Sequence, residues 1–208
     1  MKQLHSQSGN VVGIVLAAGG SSRFGSMKQV AEIRGRPMLE YPLAAMKSAG
    51  VVERLVVLGA EADRVIRQVP LHGARVVLCD GWERGQSHSL ASGLRAARQA
   101  DAVLVLLGDQ PGVTAEVIRR VLDSQVQGAD IVRASYNDVL GHPVLIDQSL
   151  FSEASSVQGD VGARFLFDRP GVKVNSVACE DVGFVLDIDT PEDLAQMTTA
   201  LPAGPPTS

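Results

Sequence analysis

The 208 residues contain only two cysteines, Cys79 and Cys179, with no C-x-x-C pair and no histidine at ligand spacing. That argues against a disulfide framework and a zinc site, and leaves both thiols as buried apolar residues. No apolar run approaches the ~20 residues that a membrane span requires. Residues 1–10 are polar and lack the apolar stretch of a signal peptide, so the expectation is a cytoplasmic chain with a flexible N-terminus. Charge of one sign is missing as well. Nineteen Lys and Arg against 23 Asp and Glu give a net charge of −4, with both signs scattered, which leaves no footprint for nucleic acid or an anionic membrane. No Ser-His-Asp or Cys-His set stands out, and there are no internal repeats.

What is present is a 45% apolar chain with 21 glycines, suited to one globular α/β domain over residues 11–200. Strand-like runs occupy 11–16, 54–58, 74–78, 102–107 and 130–134, and helical patterns fall between them at 37–49, 62–69, 87–98 and 114–125. This alternation predicts a Rossmann-like, three-layer α/β/α arrangement whose sheet is mostly parallel and covered on both faces. From residue 141 the rhythm changes. A strand is predicted at 142–146, helices at 148–153 and 159–167, and strands at 172–177 and 184–187. A last helix opens at Thr190-Pro191-Glu192-Asp193, with a hydroxyl at the N-cap, proline next and acids in the first turn. The proline-rich tail, 201–208, is expected to be disordered.

The most informative segment follows the first strand: Leu16-Ala17-Ala18-Gly19-Gly20-Ser21-Ser22-Arg23-Phe24-Gly25, then Lys28. Small residues let backbone N–H groups approach anionic oxygens, and Arg23 and Lys28 neutralise charge there, which is the chemistry of a phosphate-receiving loop. It is not a P-loop, because Ser26 and Met27 separate Gly25 from the lysine. Nor is it a dinucleotide fingerprint: the glycines are adjacent, and Glu61 comes far too late for a ribose-binding acid. A turn that is glycine-rich for backbone reasons alone would explain Gly19 and Gly20 but not the two cations.

In open α/β sheets ligands gather at the carboxyl ends of the strands, so the segments that follow the other strands belong to the same site. They are the polar connector 80–89, the turn Gly108-Asp109-Gln110-Pro111 and the run Asp187-Ile188-Asp189-Thr190. Asp109, at the tip of an apolar strand, is suited to magnesium, which prefers one or two carboxylates plus phosphate oxygens and water; the competing reading is an Asx-turn that serves its own backbone. The two-residue period of a strand lets only one of Asp187 and Asp189 face the crevice, and Asp189 is favoured as the second metal ligand, with support of the helix start as its alternative role. Together these groups imply substitution at the α-phosphorus of a nucleoside triphosphate, where the barrier is mostly electrostatic and cations carry the catalysis.

Taken in order, the loop, Gly85-Gln86-Ser87-His88-Ser89-Leu90, Gly108-Asp109-Gln110-Pro111, Gly141-His142-Pro143, Gly159-Asp160-Val161-Gly162-Ala163-Arg164 and Asp187-Ile188-Asp189-Thr190-Pro191 resemble the MobA-like nucleotidyltransferases, and within them the molybdenum-cofactor cytidylyltransferase branch. The resemblance runs from about residue 11 to 197. It implies transfer of CMP from CTP to the phosphate of molybdopterin, with release of pyrophosphate and use of magnesium.

The resemblance further implies roles for particular residues. The backbone of Leu16, Ala17, Ala18, Gly19 and Gly20 would hold the nucleotide, and Arg23 and Lys28 would contact its phosphates and carry the catalysis. Asp80 and Ser89 would complete the nucleotide site, Ser89 near the base. Asp109 and Asp189 would hold the metal, and His142, Asp160 and Arg164 would face the pterin-bearing acceptor. His142 has the alternative of capping a strand start, and Asp160 that of a helix N-cap with Gly162 there for close packing. Ala18 in Leu-Ala-Ala-Gly resembles the cytidylyl-transferring form, its methyl narrowing the loop where a purine needs room. Phe24 and Gln86 depart from the methionines of many relatives, and the second departure bears on base and acceptor specificity. Alternative outcomes are GTP as donor, another small phosphorylated acceptor, or a protein that hands the cofactor to a molybdenum hydroxylase.

Overall fold

A computed structural model of the chain describes residues 9–21, 24–125, 128–180 and 187–200. Its strands are β1 (Val11–Ala17), β2 (Glu32–Ile33), β3 (Arg36–Pro37), β4 (Glu53–Leu58), β5 (Arg75–Leu78), β6 (Ala102–Leu107), β7 (Ile131–Tyr136), β8 (Val139–Asp147) and β9 (Val174–Ala178). Its α-helices are α1 (Glu40–Ser48), α2 (Ala62–Gln68), α3 (Gln86–Ala96), α4 (Ala115–Asp123), α5 (Phe151–Ala154) and α6 (Pro191–Ala200).

Seven strands form one sheet in the order β5-β4-β1-β6-β8-β7-β9, and β2 pairs with β3 in a separate hairpin. Among the described residues β8 alone runs against its neighbours in the large sheet. The chain moves outward from β1 through β4 to β5 and then returns to the other side of β1 with β6. The point where strand order reverses, between β1 and β6, is where an open α/β sheet leaves a crevice at its carboxyl edge.

The continuous apolar runs have a direct cause in burial on both faces. In β1, Val15 and Ala17 join the core under α1, α2 and α4, while Val12, Ile14 and Leu16 join the core under α3 and α5. Cys179 sits in the first core and Cys79 in the second, both free and buried, as their isolation in the sequence suggested. A third, smaller cluster joins Phe24 from the loop, Ile33 and Met38 around the hairpin, Ile188, and Met197 from α6. No helix among the described residues is long and apolar enough to cross a membrane.

The predicted elements up to residue 134 are present with small shifts, and two expectations, the helices from residue 37 and over 159–167, need correction. The helix expected from residue 37 begins at Glu40, because Arg36–Pro37 is drawn into the hairpin; Arg34 and Gly35 turn it, with φ of 52° and 76°, the left-handed pair that a two-residue turn requires. The helix expected over 159–167 is reduced to one 3-10 turn, Arg164–Leu166. Gly159 and Gly162 hold φ of 85° and 57°, which interrupts helical backbone twice. The strand expected over 184–187 lies outside the described residues except for Asp187, which is not in a strand. The flexible N-terminus and the disordered tail also fall outside them, apart from Gly9 and Asn10. The Thr190 cap forms as expected: Asp193 N–H donates to Thr190 Oγ1 at 3.2 Å, and Thr190 N–H donates to Asp193 Oδ2 at 2.8 Å.

Candidate active site

A cleft of about 600 Å³ opens at the carboxyl ends of β1 and β6, bounded by the glycine-rich loop, the start of α3, Asp109 after β6 and Asp189 before α6. The loop owes its shape to Gln29, a residue that no sequence motif singled out. Its side-chain amide is 3% exposed and donates to the carbonyls of Ala17 (3.1 Å) and Gly19 (2.8 Å), while its carbonyl accepts from Ser21 Oγ at 3.2 Å. Ser21 Oγ in turn accepts from Lys28 N–H at 3.2 Å. The carbonyls of the loop are thus tied inward. Gln29→Leu leaves two of them without their donor and is expected to cost about 2 kcal/mol of stability, measured as a lower urea midpoint.

Trp82 also shapes the loop without having been expected to. Its indole lies across Gly20 and Gly59, where an added Cβ would stand 2.8 Å and 2.5 Å from the ring. Leu16, Ala17, Ala18, Gly19 and Gly20 all line the cleft, while Arg23 lies outside the described residues.

The structure brings Lys28, Asp109 and Asp189 together. Lys28 Nζ lies 2.6 Å from Asp109 Oδ2, 3.3 Å from Asp189 Oδ1 and 3.3 Å from the Ile188 carbonyl. Ile188, buried in the third cluster, donates its N–H to the Asp109 carbonyl at 3.1 Å, which brings the Asp189 segment against the end of β6. Asp187 turns elsewhere: Gln110 Nε2 donates to its carboxylate at 2.6 Å. Gln110 and Ile188, rather than a strand period, therefore set Asp189 and not Asp187 beside Lys28.

Asp109 is not an ordinary turn residue. Burial pushes its carboxyl above the usual carboxylate range, against the opposing pull of the Lys28 ammonium. Its other oxygen, Oδ1, is buried without a hydrogen-bond partner. Two carboxylates that share one cation, one of them with an unsatisfied oxygen, suit a small hard divalent ion. No group of three or more His, Cys, Asp or Glu side chains suited to a metal occurs among the described residues.

The start of α3 is clamped by the turn after α5. Asp160 Oδ1 accepts from Gln86 N–H at 3.1 Å, the Gly159 carbonyl accepts from Ser87 N–H at 3.0 Å, and Ser87 Oγ accepts from Gly162 N–H at 3.1 Å. Asp160 therefore caps a helix, but α3 across the fold rather than one of its own, and it also lines the cleft. Ser89 lines the cleft, nearly buried. Asp80 does not line it: it is exposed, and its carbonyl lies 2.9 Å from the His88 ring.

His142 and Arg164 are not among the residues that line the cleft. Burial, with Arg133 and Arg164 nearby, pushes the His142 imidazole down from 6.5 to about 4. Between those values the unfolded chain binds more protons than the folded one, so stability falls as pH drops through that window and is fully present above it. His142→Asn is expected to reduce the stability lost between about pH 7 and pH 4.5 by about 2 kcal/mol, read from urea midpoints at the two values.

Similar proteins agree with this architecture. The nicotine blue oxidoreductase of Paenarthrobacter nicotinovorans is 35% identical over 197 residues, covering 90% of this chain and 96% of that protein. The purine catabolism protein PucB of Bacillus subtilis is 27% identical, covering 92% and 97%. Among solved structures, Rv0371c of Mycobacterium tuberculosis superposes with a TM-score of 0.81 at 31% identity over 92% of this chain and all of that one. A manganese complex of the same protein gives 0.78 at 28% identity, covering 92% and 100%. The MobA-like NTP transferase domain model matches residues 13–174, which contain the loop, the Lys28–Asp109 pair and the clamp on α3, and the chain belongs to that nucleotidyltransferase family.

Proposed function

We propose that the protein transfers CMP from CTP to the phosphate of molybdopterin or its molybdenum-loaded form, with release of pyrophosphate, in the cytoplasm. The observation that carries this reading is the Lys28 ammonium held between Asp109 and Asp189 at the mouth of the glycine-rich loop, with Asp109 Oδ1 left unsatisfied. A cation, two carboxylates and backbone amides at one end of a cleft are what an anionic nucleophile needs to approach a polyphosphate.

In this reading the backbone of Leu16 to Gly20 binds the nucleotide, with Ser89 toward the base, while Asp80, exposed and outside the cleft lining, takes no part. Lys28 and Arg23 neutralise the triphosphate and the departing pyrophosphate. Asp109 and Asp189 would hold magnesium, which when bound supplies charge neutralisation and orientation at the α-phosphate. No general base is called for, because the acceptor phosphate is itself the nucleophile. His142, Asp160 and Arg164 face the acceptor. Ala18, buried and with its carbonyl tied to Ala60 N–H at 3.1 Å, keeps the loop narrow and favours a pyrimidine. A molybdenum hydroxylase is the proposed recipient of the product.

The test is pyrophosphate release by the purified protein with magnesium and molybdenum cofactor, with CTP, GTP and ATP in parallel. Release with CTP alone supports the full reading. Release with GTP keeps the reaction and removes the Ala18 argument. Release only with a sugar or polyol phosphate reassigns the acceptor. Silence in every arm overturns nucleotidyl transfer. The similarity to a protein named for oxidoreduction is addressed in the same preparation by following NAD(P)H consumption, which this reading expects to be nil.

A further inference from the structure

Beside the nucleotide cleft lies a group of basic side chains that the fold has no evident need for. Arg133 is in β7, an inner strand that pairs with β8 on one side and β9 on the other. Its guanidinium stacks 4.0 Å over the Phe167 ring, and its Nε is buried with no hydrogen-bond partner. Among the described residues it forms no ion pair. Asp168 is the acid that acts on it, without closing to a salt bridge, while Arg164 adds a like charge.

His142 reaches the same place from the next strand. The β7–β8 register shifts between Arg133 and Ala134, so Arg133 faces Val144 while Ala134 faces Gly141, and residues 142 and 143 stand off the ladder. Tyr136 Oη donates to the His142 carbonyl at 2.7 Å and pins that backbone. The β6–β8 register, which pairs Val105 with Val144, directs the His142 end of β8 toward Leu107, and Leu107 lines the cleft. Arg164 stands in the turn that follows Asp160, another lining residue.

A guanidinium kept partly out of water with no carboxylate bonded to it costs desolvation free energy that an apolar side chain packed on Phe167 would not. Two arginines and a histidine gathered against one non-bonded aspartate add mutual repulsion to that cost, in a chain whose net charge is −4. A bound oxyanion would reverse both terms, since charge-assisted hydrogen bonds to guanidinium are among the strong ones and this fork matches phosphate geometry. We propose that Arg133, His142 and Arg164 form an oxyanion-binding site next to the nucleotide cleft, with Arg133 as its anchor, for a phosphate monoester or a comparable dianion on the acceptor. The acceptor assignment rests on the transfer reaction proposed above; the anion site stands without it.

The test reads His142 directly. The C2–H resonance of His142 is followed by NMR across its titration in the full chain without nucleotide, in inorganic phosphate and in sodium chloride of matched ionic strength. A bound dianion offsets the two guanidinium charges, so phosphate is expected to raise the His142 midpoint by about one unit. Arg164→Ala, an exposed position, is expected to raise the midpoint without phosphate and to shrink the phosphate effect. Arg133→Met is expected to abolish it, and Arg133→Lys to keep part of it. A His142 midpoint indifferent to phosphate overturns the site, whatever the transfer assay gives. Should phosphate move His142 while no acceptor yields pyrophosphate, the anion site stands and the transfer reading falls. With an active enzyme, Arg164→Ala is expected to raise the acceptor KM about tenfold, ~1.4 kcal/mol, with the CTP KM unchanged; an equal rise in both overturns the acceptor assignment.

Discussion

Asp109→Asn is expected to lower the rate of pyrophosphate release by about a thousandfold, some 4 kcal/mol of transition-state stabilisation, while the melting temperature moves by only a few degrees. Both parts follow from the position of the carboxylate. Its charge is buried at the tip of β6, with one oxygen against Lys28 and the other unsatisfied, so the folded state already bears a desolvation cost that the amide relieves. The amide also weakens the contact with Lys28, and the two changes oppose each other in stability. They do not oppose each other in catalysis, where the neutral side chain cannot help hold a divalent ion among phosphates. The measurement pairs turnover at saturating magnesium and CTP with a thermal melt. Unchanged turnover would remove Asp109 from the site, and a collapsed melt would make its role structural.

Lys28→Met is expected to act in opposite directions on two observables. Turnover falls by about a hundredfold or more, because the ammonium no longer neutralises the polyphosphate. In the nucleotide-free protein, manganese binding becomes about tenfold tighter, ~1.4 kcal/mol, because the cation now 2.6 Å from Asp109 and 3.3 Å from Asp189 no longer competes for those oxygens. Paramagnetic relaxation of water by manganese gives the affinity, and pyrophosphate release gives the rate. This pairing separates an exchange at the carboxylates, in which Lys28 moves to the triphosphate when a metal arrives, from a lysine that merely braces the fold. Weaker manganese binding in the variant would reject the exchange.

Much of the site was legible in the chain because its parts follow apolar strands, and the carboxyl ends of parallel strands share one edge of a sheet. Asp109 and the loop could be assigned to one crevice on that ground alone. Other residues gave no local signal. Gln29 is one polar residue among many until its amide is seen bridging the Ala17 and Gly19 carbonyls, and Arg133 reads as a solvated charge until β8 and β9 enclose its strand. The 159–167 segment reads as a helix by composition, and only the clamp on α3 explains why two glycines there adopt left-handed backbone. Asp80 follows a strand as Asp109 does, yet it turns to solvent, since strand ends share an edge without sharing a direction.

Local chemistry determined the alternation of strands and helices, the burial of both thiols, the Thr190 cap and the glycine-rich turn after β1, because each depends on neighbours within a few residues or on a short period. Tertiary structure decided which carboxylate joins Lys28, what Asp160 caps and where Arg133 meets His142. Those outcomes depend on Ile188 packing against Phe24, Ile33, Met38 and Met197 and on one antiparallel strand set between β6 and β7. Contacts such as Asp160 with Gln86, 74 positions apart, and Lys28 with Asp189, 161 apart, form only when the whole core closes, and no spacing along the chain encodes them.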